Sequence, residues 1–209
     1  FEHFYAVLIF FFSVLGAGFL ITNISLNETV DFRKRFFAAL SIGSIVLTLL
    51  AYALMILGYF FPSLLKPGSF LLLFFLVLSV LKNLWFQRSF LKDRTFLLGG
   101  IFFFLLLLIR LSFLKHILLP GYSDSPIHYQ IVDVFLHPGT SASFRLSIGN
   151  IFNHYYHFGF HALVAWLVLL ANIAPQDAIS LLGQILLVIA PISVIFLTYF
   201  LTIVTYLKI

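Results

Sequence analysis

The sequence has no cysteine, and only 9% of its 209 residues are charged. The first absence excludes disulfides and thiolate metal sites, and it leaves the redox compartment unreadable. The second, set beside a 62% hydrophobic content, excludes a soluble domain of this length, which could not cover so much apolar surface. Acidic residues number only seven against twelve Lys and Arg. The resulting net charge of +5 is spread over connections, which suits membrane orientation and anionic headgroups and not nucleic acid. Walker loop, dinucleotide fingerprint, Ser-His-Asp arrangement and HExxH motif are all missing.

What is present is apolar and rich in phenylalanine, with 28 Phe against 9 Tyr and 2 Trp and a mean hydropathy of +1.13. Phe has no polar handle and suits lipid-facing and helix-packing positions. These features predict an integral membrane protein, an all-α polytopic transmembrane bundle. About six spans are expected on length alone: 4–22, 36–61, 69–85, 96–114, 158–172 and 178–206, the last bent at Pro191. Gly16 and Gly18 in the first span, and Ala38, Ala39, Gly43, Ser44 and Ala51 in the second, allow close helix approach. Arg33, Lys34 and Arg35 form the densest basic cluster and read as a topology anchor. Placing 23–35 and 86–95 in the cytoplasm puts the N-terminus, the 61–68 turn and the long 115–157 connection outside, and 174–177 inside. The sequons at Asn23 and Asn27 carry little weight in a connection of that orientation.

The polar chemistry concentrates in Pro120–Pro138, PGYSDSPIHYQIVDVFLHP. Ser123, Asp124 and Ser125 can cap a helix, and Pro126 fits its first position. The pattern predicts a short interfacial helix over 126–136, with Ile127, Ile131, Val134 and Phe135 on one face. Asp124 and His128 stand one turn apart at its start, where helix N–H groups suit a phosphate. Asp124 reads either as a cap or as a general base or metal ligand. His128 reads as a partner for Asp124, a phosphate or metal ligand, or a solvated side chain. Asp133 points elsewhere. A second constellation is His154, Tyr155, Tyr156, His157 and His161, whose histidines share a helical face. Metal ligation, an interfacial belt and axial ligation of a haem or pigment all fit them.

Taken together, GYSDSPIHY after a spanning helix, a short helix, and YYHFGFHALVA opening the next span resemble the polytopic GT-C-type glycosyltransferases. The resemblance covers about 96–206, with 1–95 as a three-span N-terminal extension, and implies a partial member, one segment of a longer chain. It implies transfer of a sugar from a polyprenyl-phosphate donor at the outer face of a bacterial inner (plasma) membrane. Asp124 corresponds to the catalytic acidic residue. His128 matches the histidine of a D-x-P-x-H pattern, and Tyr156, Gly159 and His161 match a Y-P-x-G-x-H entry in which His157 replaces the proline. The implied substrate contacts are His128, Arg110, Lys115, Arg145, Tyr156 and His161. A divalent cation, Mg or Mn, would be held by Asp124 and His128. Arg110 reads either as a snorkelling cation or as a phosphate partner. The competing class is a non-catalytic accessory subunit of a membrane complex, packing on partner helices, lipids or pigments. A transporter is disfavoured because the spans hold almost no ionisable residue besides Arg110.

Overall fold

The structure is a computed structural model describing residues 4–26, 31–86, 94–112, 125–138 and 158–206. The regular elements in that part are helices: α1 (Phe4–Ser25), α2 (Phe32–Phe60), α3 (Pro62–Phe86), α4 (Arg94–Ser112), α5 (Ser125–Leu136), α6 (Gly159–Ala171) and α7 (Pro175–Tyr206). Four of them, α1, α2, α3 and α7, are long and apolar enough to cross a bilayer. The protein is therefore an integral membrane protein. The expected count of six is not met by the same measure, because the apolar part of α4 and the 13-residue α6 fall short of that length.

Two boundaries differ from the sequence reading for local reasons. α2 begins at Phe32, four residues earlier than expected, because Asp31 caps it. The Asp31 carboxylate accepts from the backbone N–H of Arg33 at 3.1 Å and from its side chain at 2.9 Å. The 62–68 segment is the first part of α3 and not a turn. Pro62 takes the first helical position, where its missing donor costs nothing, whereas Pro67 lies in the second turn and the helix continues through it without that residue's backbone donor.

α1 and α2 run antiparallel in the most intimate contact of the bundle. A Cβ on Gly18 would collide with the Ala39 backbone, and one on Gly43 with the Val14 carbonyl, so these two helices touch main chain to main chain. Hydroxyls inside the helices return to the carbonyl four residues back, as Ser13 does to Ile9 at 2.6 Å and Thr48 to Ser44 at 2.7 Å. At the end where α1 gives way to α2, buried Arg35 donates to Asn23 Oδ1 at 3.0 Å. The Phe96 ring of α4 meets Phe32 and Phe36 there. At the other end α1 begins and α2 turns into α3.

α6 ends at that second end, where the Tyr5 hydroxyl donates to the Ala171 carbonyl at 2.8 Å. This corrects the expected arrangement, in which the turn after 172 and the N-terminus stand at opposite faces. Asn172 closes α6 in the left-handed region, φ 51°, which Asn tolerates better than most residues. Pro175 opens α7 three residues later.

Candidate functional site

α5 and α6 are packed together, and their contact is polar at one point. His128 Nδ1 lies 2.7 Å from His161 Nε2. The ring centroids are 5.0 Å apart and the planes 19° from parallel. That separation is the nitrogen–nitrogen distance plus little more than the two ring radii. The rings therefore meet edge to edge, nitrogen facing nitrogen, and are not stacked face over face.

Sequence explains how each ring is held. α5 is amphipathic and buries Ile131, Val132, Val134 and Phe135, with the Phe135 ring against Tyr52 of α2. Ile127, expected on the same face, is exposed instead, and Val132 takes the place facing the core. The helix thus packs its apolar face on α6 and α2 of the bundle. His161 is 2% exposed, inside an otherwise apolar α6 that includes fully buried Ala162 and Trp166. Phe158 and Phe160 place their rings beside it at 6.3 and 5.6 Å. Gly159 lies against Thr48, which allows α6 to begin close to the middle of α2.

A buried imidazole left without a partner would cost about 1–3 kcal/mol. The contact with His128 removes that cost for Nε2 of His161. An N–H···N bond between imidazoles needs one proton between the two facing nitrogens. Which ring donates sets the tautomer of both.

Of the residues expected at a site, the structure brings His128 and His161 together. Arg110 is exposed on the last turn of α4, which packs chiefly on α7, and no hydrogen bond or ion pair joins it to either imidazole among the described residues. Asp133 pairs with His137 at 2.9 Å, one turn along at the far end of α5. Asp124, Lys115, Arg145 and Tyr156, with His154 and His157, lie outside the described residues. No group of three metal-ligating side chains occurs among the described residues. Two imidazoles are nitrogen donors, whereas Mg²⁺ prefers hard oxygen ligands, so the described part of the expected cation site does not fit that ion. The sequence reading missed Thr48, Tyr52 and Phe160, which shape the site but are ordinary apolar-helix residues without any local signal.

No family model, curated protein or solved structure matches the chain.

Proposed function

We propose that the chain is the membrane part of a GT-C-type glycosyltransferase that uses a sugar carried on a polyprenyl phosphate. One observation supports this most. The two sequence segments that carry the resemblance, GYSDSPIHY and YYHFGFHALVA, are separated in the chain, and one histidine from each meets the other across 33 positions.

In this reading the acceptor hydroxyl loses its proton to the Asp124 carboxylate as its oxygen bonds to the anomeric carbon. The bond from that carbon to the donor phosphate breaks, and the phosphate leaves with the electron pair. His128, backed by His161, supplies a hydrogen-bond donor to the departing oxygen. Arg110, Lys115 and Arg145 are the further cations on the expected outer side, and Tyr156 lines the acceptor or donor path. The isoprenoid tail lies among the Phe-rich helices. A divalent cation would rest on the Asp124 carboxylate, and no step here depends on it. The test is transfer from polyprenyl-phosphate sugars by the purified chain in vesicles. Activity that survives undiminished in Asp124→Asn sinks the assignment of that carboxylate.

A second reading is an accessory subunit of a membrane complex. Gly99 and Gly100 of α4 are exposed, and among the described residues a Cβ added at either would meet nothing within 4 Å, although such pairs serve close helix contact. A partner helix seated there would account for them. Purification without dissociation, followed by a subunit gel and an absorption spectrum, separates the two readings.

A further inference from the structure

We infer that α5 and α6 form a re-entrant pair, entering the bundle from the face where α1 begins and returning to it, so that the His128–His161 pair is reached from that face alone. The argument follows the ends of the helices. The carboxyl end of α6 is tied to the first turn of α1 by the 2.8 Å bond from Tyr5 to Ala171. Its amino end does not reach the opposite face, because Gly159 rests on Thr48 near the middle of α2. Thirteen residues rise about 20 Å at 1.5 Å each, against a hydrocarbon core of about 30 Å. α6 is therefore a half-span.

The chain before it approaches the same face. α4 starts with Phe96 on Phe32 and Phe36, at the end opposite the beginning of α1. By Phe103 it has reached Phe11, in the first half of α1. It continues in that direction to Ser112. α4 and α6 thus both end on one side, with α5 and the half-span α6 between those two ends in the chain. α5 sits at the depth of the turn formed by Thr48 and Tyr52, where Phe135 meets Tyr52. Helix ends at that depth occur only where protein or a water-filled recess receives their polar groups. The imidazole pair is the polar group found there. On the transferase reading, the donor phosphate approaches the pair from this face; the fold-back itself does not depend on that reading.

The sequence has no cysteine, so single thiols report without background. The full chain in its membrane is treated with a membrane-impermeant maleimide from each face in turn, which reacts with thiols in contact with water. Ile24→Cys and Phe61→Cys mark the two faces, since both positions are well exposed at opposite ends of the bundle. Their labelling from opposite sides also establishes correct insertion. Gln176→Cys, in the first turn of α7, and Tyr129→Cys, beside the imidazole pair, are the probes. The expected result is that both label from the Phe61 side only. Labelling of Gln176→Cys from the Ile24 side makes α6 a full crossing and overturns the proposal. Labelling of Tyr129→Cys from the Ile24 side, or from neither side, overturns the one-sided access. None of these readouts uses sugar transfer, so failure here and failure of the transferase reading are told apart.

Discussion

His128 Nδ1 faces His161 Nε2 across 2.7 Å, a separation at which one nitrogen donates and the other accepts, so the tautomers of the two rings are linked. Two residues that act through one bond do not contribute independently. His128→Gln and His161→Gln are each expected to lower transfer, and the double substitution to be hardly worse than the poorer single. The coupling should be about 1–2 kcal/mol, on the order of tenfold in rate. A double-mutant cycle on transfer activity, with thermal melts in detergent alongside, measures it. Strict additivity in rate would show that the two rings act separately.

Gly43 faces the Val14 carbonyl with no space for a side chain. Gly43→Val should force α1 from α2 and destabilise the bundle by about 3 kcal/mol, the upper range for overpacking. Gly183, with nothing within 4 Å, is the control. Gly183→Ala should be neutral or slightly stabilising, since alanine favours a helix interior. Monodispersity and melting temperature in detergent report both.

Asp31 caps α2, and the side chain and backbone of Arg33 hold its carboxyl below the ordinary aspartate value of 3.8. A depressed value in the folded state means that the cap stabilises fully above 3.8 and loses its effect as pH falls through the lower, folded value. Asp31→Ala should cost about 1 kcal/mol at neutral pH. Asp31→Asn, which keeps an acceptor, should cost less and should remove this contribution to acid sensitivity. Melting curves from pH 7 down to about 3 distinguish the three proteins.

Gly99→Leu and Gly100→Leu add bulk where the described residues offer no contact. The isolated protein should keep its stability within about 0.5 kcal/mol, as exposed substitutions usually do. A partner helix packed on this face would be displaced, and co-purifying chains would be lost in the variants. Retention of all partners by both variants removes this face as the contact.

Much of the bundle was legible because bilayer physics acts locally. Runs such as Phe4–Ser25 must satisfy their own backbone bonds in hydrocarbon, so composition and length suffice to find them. α5 was legible from Ser125, Pro126 and the spacing of Ile131, Val134 and Phe135. The start of α2 was missed although Asp31 stood in the right place for a cap, because the basic cluster after it read as a connection. The α6 segment was read as a span from its apolar composition, which does not reveal that the helix has only 13 residues.

The sequence alone determined the solvent of this protein, its helical class and the two short polar segments able to hold chemistry. These follow from residue type and spacing within a few turns. Only the tertiary structure decided that His161 finds His128 and that Ala171 returns to Tyr5, 166 positions away. Partners at such separations are chosen by which helix faces fit closely, and main-chain contacts such as Gly43 on Val14 set that fit across the whole bundle.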